Sequence, residues 1–352
     1  MNPEPLSRSI DALLRGCPGI GMPPVPRGEE AAAVTFLGLS FPLNGAPPAA
    51  KIYFAPSDGN PPLPAGTPDA LRKSMESAIR SREGEAWRLH DASVERARSG
   101  EVVGRLLWAL RSADRADAER WPRLVSGLLE ALGHPRLAEP LLRLNARLRE
   151  ILRAELAPLC QLGGFLAPDG SLSRIKANFD ADVSLSSEAT EYNRGRAEAA
   201  TRFLLGKSGP DDAGAARMLA RLGAAMQGAC QFHSWGLHAA NDRLESLKVY
   251  VRDERPAEVA FPAILKAFSP NMSGVTPDSR HRPDALLLPF GWRYHGFYAE
   301  AAAASFQTIK FYFLAPVPQR SNNDAPSNHT PENRTTNTPE SGRGLNGALW
   351  NT

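Results

Sequence analysis

Four segments of the chain repeat one pattern, a lysine followed two residues later by a tyrosine or an amide. They are Lys51-Ile52-Tyr53-Phe54, Lys176-Ala177-Asn178-Phe179, Lys248-Val249-Tyr250-Val251 and Lys310-Phe311-Tyr312-Phe313. A strand sends successive side chains to opposite faces, so the lysine and the residue two further on share a face. In the second segment that face extends over Arg174, Lys176, Asn178 and Asp180, and in the third it reads Ser246, Lys248, Tyr250 and Arg252. The opposite faces are apolar: Ile52 and Phe54; Ile175, Ala177 and Phe179; Leu247, Val249 and Val251; Ile309, Phe311 and Phe313. One such strand is an ordinary surface strand with its lysine in water. Four copies, spaced by 125, 72 and 62 residues, imply a repeated unit, because 125 is close to two of the shorter steps. Five units result, one of them with a weakly marked hairpin near residue 113. Val102 to Arg111 is the candidate for it, although its leucine-rich sequence reads equally well as helix.

The intervening stretches are helical in pattern. Residues 67–99 and 101–158 are rich in Ala, Leu, Arg and Glu, with apolar residues recurring at three and four. The stripe is clear in Leu137, Leu141, Leu144, Leu148, Ile151 and Leu152, and further helices are predicted at about 187–206, 211–227 and 256–268. Turn residues bound the strands, as in Leu43-Asn44-Gly45-Ala46-Pro47-Pro48 and Ala167-Pro168-Asp169-Gly170. Hairpins alternating with helices predict an α+β fold of antiparallel strands with helices on one side. If the apolar faces pack on the helices, the polar faces point at one another. About ten strands would then close into a barrel with a wide polar lumen. Inward lysines and arginines repel one another unless an anion binds among them, and a diphosphate has the charge and the acceptor oxygens to do so. No P-loop or GxGxxG precedes a helix, so side chains rather than a glycine cradle would form that site.

Composition excludes several other classes. With 352 residues, 42% of them hydrophobic, the chain can build a large core, and it has no run of eighteen apolar residues to span a bilayer. A net charge of +3 is no footprint of nucleic-acid binding. Cys17, Cys160 and Cys230 have no ligand-like spacing and fit reduced thiols of the cytosol. Met1 to Arg15 lacks a basic segment followed by an apolar one, so no secretion signal and a cytoplasmic location are expected. The 31 prolines and 29 glycines collect at turns, in a Pro-rich entry from Pro18 to Pro26 and in the tail. The predicted organisation is an N-terminal helix and entry segment over 1–29, a barrel domain over 30–315 and a disordered tail over 316–352.

The four Lys-x-Tyr-like strands and their spacing resemble the ABBA-type aromatic prenyltransferases, the prenyltransferase-barrel (PT-barrel) family, over roughly residues 30–315. The resemblance implies a ten-stranded antiparallel barrel of αββα units surrounded by helices. It also implies an enzyme of secondary metabolism that moves a prenyl group from dimethylallyl or geranyl diphosphate to an aromatic or peptide side-chain acceptor. Carried over to this sequence, Lys51, Lys176, Lys248 and Lys310 would grip the diphosphate with Arg174, Arg252 and Asn178. Tyr53, Tyr250 and Tyr312 would shield the prenyl cation, Asn178 standing where one aromatic is expected. No matching lysine lies near residue 113. The first strand, Val34 to Phe41, lacks the glutamate that indole-prenylating members use as a base, which speaks against an indole acceptor and leaves a phenol, another aromatic or a peptide side chain.

Candidates for the base are Asp180, Glu245, Glu300 and His233. The acceptor pocket is expected from Trp235, Trp292, Arg293 and Tyr294, with the alternative that the aromatics face outward and leave Arg293 and His295 inside. The DDxxD motif of helical prenyl synthases is absent. A metal-independent site without cofactor is therefore expected, Asp180 and Asp182 being the pair able to hold Mg²⁺. The expected partners are the donor and acceptor alone, with no nucleic acid and no membrane, and the expected state is a monomer. The sequence also accommodates two further readings. One is a non-catalytic barrel that binds an anionic ligand or a protein partner. The other is a helical scaffold whose Arg-rich helices, such as 142–153, contact nucleic acid.

Overall fold

The structure is a computed structural model that describes residues 4–16, 20–21, 34–54, 68–82, 87–96, 102–166, 172–181, 194–207, 211–228, 230–240, 243–268, 283–302 and 305–316. The tail from 317 onward, most of the Pro-rich entry, the 167–170 turn and Asp182 lie outside these residues. Ten strands form one closed antiparallel barrel: β1 (Val34–Pro42), β2 (Ala49–Phe54), β3 (Trp87–Arg96), β4 (Val102–Leu110), β5 (Leu159–Leu166), β6 (Leu172–Asp180), β7 (Cys230–Ala240), β8 (Arg243–Asp253), β9 (Arg293–Ala302) and β10 (Ser305–Leu314). Each strand pairs with its sequence neighbours, and β10 closes on β1 through pairs such as Lys310 with Ser40 and Tyr312 with Gly38. This is the α+β barrel that the alternating faces imply.

The helices are α1 (Glu4–Gly16), α2 (Asp69–Arg82), α3 (Ser112–Ala116), α4 (Arg120–Ala131), α5 (Ala138–Leu152), α6 (Arg194–Lys207), α7 (Asp212–Ala225), α8 (Ala257–Phe268) and α9 (Pro283–Leu287). Among the described residues no helix is long and apolar enough to cross a membrane. In α5 the buried residues are Leu141, Asn145, Leu148 and Leu152, one face of a 3.6-residue repeat. Asn145 Oδ1 accepts the backbone N–H of Leu159 at 2.7 Å and so ties α5 to the start of β5. The outward faces of the strands, including Phe179, Trp235, Phe297, Phe311 and Phe313, are buried against this helical shell. Burying side chains of this kind contributes about 1.5–3 kcal/mol each.

The sequence pattern places two strands inside helices, and the structure corrects both. Residues 87–96, read as helical, form β3. A bulge between Leu89 and Asp91 shifts the strand's phase, so the apolar residues it packs against the helices are Trp87 and Leu89, then Ala92 and Val94. Two residues seven apart on one face imitate a helical repeat. Residues 102–110 form β4, so the weakly marked hairpin is β3–β4, and Val102 to Arg111 is where its second strand lies. The remainder of 101–158 is helical to Leu152, as expected. At the first hairpin Gly45 has φ of 80°, and Asn44 Oδ1 accepts the N–H of Ala46 at 3.2 Å, which is the turn its sequence predicts.

Candidate functional site in the barrel lumen

Directly paired residues of an antiparallel sheet share a face, so the register assigns the lumen. Lys51 pairs with Gly38, Lys176 with Gly163 and His238, Lys248 with Gly236 and Glu300, and Lys310 with Ser40 and Tyr298. The second unit contributes Arg105 on β4, which pairs with Ser93 and Phe165 on the same face. Thus each even-numbered strand carries one inward cation: Lys51, Arg105, Lys176, Lys248 and Lys310. The expected fifth unit is complete, with arginine in place of lysine. A lone arginine in the leucine-rich run Val103 to Leu110 was the available signal, and it is masked when that run is read as helix.

These cations surround a cluster of tyrosines. The Tyr312 ring lies 5.7 Å from Tyr53, 6.3 Å from Tyr250 and 5.9 Å from Tyr298, centroid to centroid. The Tyr312 hydroxyl is 3.4 Å from that of Tyr53. Lys51 Nζ stands 5.2 Å from the centroid of Tyr53, Lys176 Nζ 5.3 Å from Tyr250, Lys248 Nζ 4.8 Å from Tyr298 and Lys310 Nζ 5.6 Å from Tyr298. The Arg105 guanidinium is 5.4 Å from the Tyr53 ring. At these distances the ring quadrupole attracts a cation. Burial and the three neighbouring phenols push the Tyr312 hydroxyl well above its ordinary range, so it stays neutral. Gly38 and Gly236 keep the space open: a Cβ on Gly38 would lie 3.0 Å from Lys310 Cδ, and one on Gly236 2.9 Å from Asn178 Oδ1 and 3.1 Å from the Tyr250 ring.

Tyr298 is a lumenal tyrosine of this cluster that the spacing concealed. It stands four residues after Tyr294, which puts both on one face of a regular strand. The register slips between Tyr312 and Phe313, leaving His295 as an extra residue in β9. Tyr294 therefore faces outward, its hydroxyl donating to Asp253 Oδ2 at 3.0 Å and its ring packed near Phe311 and Phe313. The other expected acceptor-pocket aromatics are likewise outside the wall. Trp235 Nε1 donates to Thr201 Oγ1 of α6 at 2.9 Å, and Trp292 Nε1 donates to Ser9 Oγ of α1 at 3.0 Å. Arg293 is exposed at the start of β9.

The remaining predicted site residues separate by position. Arg174 is half-exposed at one mouth and forms an ion pair with Glu245. Arg252 lies beyond Tyr250 toward the opposite mouth, half-exposed and 3.4 Å from Glu254, so it is outside the ring of cations. Asp180 is bound to the buried Arg115 at 3.0 Å, with Arg115 Nε donating to the carbonyl of Ala157 at 2.9 Å. Asn178 Nδ2 donates to Gln161 Oε1 at 2.7 Å, while its Oδ1 is buried with no hydrogen-bond partner among the described residues. His233 is an extra residue in β7, at the same end of the lumen as Arg252 and His295. Burial, then His295 and Arg252, lower its pKa to about 3, and burial with Arg252 and Arg293 lowers that of His295 to about 4.

Glu300 is the carboxylate brought among the lysines. Its Oε2 is 3.6 Å from Lys248 Nζ, and its Oε1 accepts from Ser246 Oγ at 2.8 Å. Burial opposes its ionisation, but Lys248, the Ser246 hydroxyl, Lys310 and Arg174 outweigh it and hold Glu300 below its usual range. Among the described residues the ring thus sets five cations against Glu300. Like charges repel by roughly 2 kcal/mol per pair at 8 Å with an effective dielectric near 20. A polyanion bound within the ring would relieve that repulsion. Among the described residues no group of three or more His, Cys, Asp or Glu is placed to hold a metal ion.

In comparisons with known proteins, no family model matches the sequence, and no curated protein matches it.

Proposed function

We propose that the chain is a prenyltransferase that binds an allylic diphosphate inside the barrel and alkylates an aromatic or peptide side-chain acceptor. One observation carries the reading: five cations, one from each repeat, converge on a buried cluster of four tyrosines. A plain anion site needs the cations and has no use for the aromatic faces. An allylic diphosphate needs both, because it separates into a polyanion and a carbocation.

In this mechanism the allylic C–O bond breaks as Lys51, Arg105, Lys176, Lys248 and Lys310 neutralise the charge growing on the leaving diphosphate. Preorganised charge in a dry site is often the largest contribution to catalysis. The faces of Tyr53, Tyr250, Tyr298 and Tyr312 attract the allylic cation and keep water from capturing it. The neutral Tyr312 suits this role, since a phenolate would itself trap the cation. The acceptor attacks from the remaining lumen, where His238 and Asn178 offer polar contacts.

The test is incubation of the protein with dimethylallyl or geranyl diphosphate and a panel of phenols, other aromatics and peptides. Products heavier by one prenyl unit are expected. Binding of diphosphates with no product from any acceptor would favour a non-catalytic anion-binding barrel, and no binding at all would defeat both readings.

A further inference from the structure

His238 was not among the residues marked by the strand pattern, yet the register puts it on the lumen face between two cation-bearing strands, paired with Lys176 on one side and Ser246 on the other. It is 1% exposed, and its ring meets Phe165 edge-on at 5.6 Å. Its surroundings fix where its proton sits. Ser246 has a single hydroxyl proton, which it donates to Glu300 Oε1 at 2.8 Å. The contact of 3.3 Å between Ser246 Oγ and His238 Nδ1 is then made by Nδ1–H donating to Oγ. Glu300 Oε1, 3.8 Å from Nδ1, favours a proton on the same nitrogen. A neutral imidazole has one N–H, so Nε2 carries a bare lone pair. Among the described residues that buried nitrogen has no hydrogen-bond partner. Leaving a buried acceptor unsatisfied costs about 1–3 kcal/mol. A lone pair repels phosphate oxygens, so the natural partner for Nε2 is a ligand that offers a proton.

We propose that His238 Nε2 is the base that takes the acceptor's proton, with Ser246 and Glu300 as positioning residues that hold its Nδ1–H tautomer. The assignment rests on the prenyl-transfer reading. As the allylic C–O bond breaks, its electron pair leaves with the diphosphate. An electron pair of the acceptor's ring or oxygen forms the new bond to the allylic carbon. The C–H or O–H bond at the attacked atom then breaks, its electrons return to the acceptor, and its proton passes to Nε2. The imidazolium so formed lies between Glu300 and the anionic diphosphate.

The same groups make the base depend on the donor. Burial, then Lys248 of β8, Lys176 and Arg174 of β6 and Arg105 of β4, keep His238 neutral well below the ordinary histidine range. Glu300 of β9 acts in the opposite direction on the Nδ1 side. Three of these cations belong to the ring that would hold the diphosphate. Filling the ring cancels their field and makes Nε2 more basic, so the base gains strength when the donor is bound.

Long-range ¹H–¹⁵N correlation spectra of the full chain, labelled in histidine and assigned with His238→Gln, test this with inorganic pyrophosphate as probe. The free protein is expected to show protonated Nδ1 and bare Nε2, and saturating pyrophosphate should raise the titration midpoint by about one pH unit or more. Ser246→Ala and Glu300→Gln should mix the tautomers while His238 stays in place. Protonated Nε2, or a midpoint that bound pyrophosphate does not move, overturns the proposal. In single turnovers with dimethylallyl diphosphate and 1-naphthol, His238→Gln should slow product formation about a hundredfold. Donor binding should stay within a few-fold, and ring-deuterated acceptor should reveal a primary isotope effect absent from the wild type. Equal rates for variant and wild type would remove His238 as the base and leave prenyl transfer standing. A wild type that binds neither pyrophosphate nor dimethylallyl diphosphate would remove the parent reading instead.

Discussion

The two sides of the barrel wall treat polar groups differently. Outside, between strands and helices, buried charges meet partners. Arg255 binds both oxygens of Asp253, at 2.8 and 2.6 Å, and donates to the carbonyl of Ala225 at 2.9 Å, while Tyr294 donates to Asp253. Trp235 and Trp292 each find a hydroxyl on a helix. Inside, five cations face Glu300, and Nε2 of His238, Oδ1 of Asn178 and Oγ of Ser93 are buried with no hydrogen-bond partner among the described residues. Atoms of this kind occur in the helical layer as well, at Arg115 Nη2 and Asn145 Nδ2, so the layers differ in charge: the outer one pairs its ions, while the inner one sets five cations against Glu300 among the described residues.

The contrast is breakable in order of expected effect. The largest effect is acid lability of the lumen. His233 and His295 have folded-state pKa values of about 3 and about 4, and that of His238 is also lowered, all below the ordinary 6.5. The unfolded chain therefore takes up protons first as pH falls. Their contribution to stability is full above about pH 6.5 and is lost as pH drops toward the folded values. Linkage gives up to about 2 kcal/mol per histidine at pH 5, measurable as a fall in the urea midpoint. Replacing His233 with Phe should flatten that dependence by about one histidine's share.

Next is Asp253→Ala, which strips Arg255 and Tyr294 of their partner in the outer layer. A loss of about 3–5 kcal/mol is expected in chemical denaturation, with diphosphate affinity of the folded fraction unchanged. Lys310→Ala should do the reverse. Removing one of several like charges leaves the melting temperature unchanged or raised, while pyrophosphate affinity falls roughly ten- to a hundredfold with loss of a charge-assisted contact. The smallest effect is that of Gly236→Ala. Its methyl would crowd Asn178 and Tyr250, costing about 1 kcal/mol of stability and a several-fold loss of donor affinity. Equal responses of both layers in these measurements would erase the distinction.

How much of this was legible in the sequence follows from strand regularity. Where β2, β6, β8 and β10 alternate strictly through the motif, Lys51, Lys176, Lys248 and Lys310 were placed on the correct face. The barrel followed from their apolar reverse sides. What escaped lies at bulges, which insert one residue and exchange the faces. The bulge beside Leu89 disguised β3 as helix, and the one at His295 sent Tyr294 outward and Tyr298 inward. Arg105 was hidden by the leucines around it. His238 was hidden for another reason: its significance depends on Ser246 of the next strand and on Glu300, which meet it only through the registers of β7, β8 and β9. No spacing rule along one strand can reveal a contact made across three.

On the proposed reading the lumen is a diphosphate site built from one cation per repeat. Calorimetric titration of the wild type, Arg105→Ala and Lys310→Ala with a non-hydrolysable dimethylallyl diphosphate analogue tests it most directly. One site per chain is expected, weakened roughly ten- to a hundredfold in each variant, with folding intact. A wild type that does not bind the analogue, or variants that bind it undiminished, would contradict it.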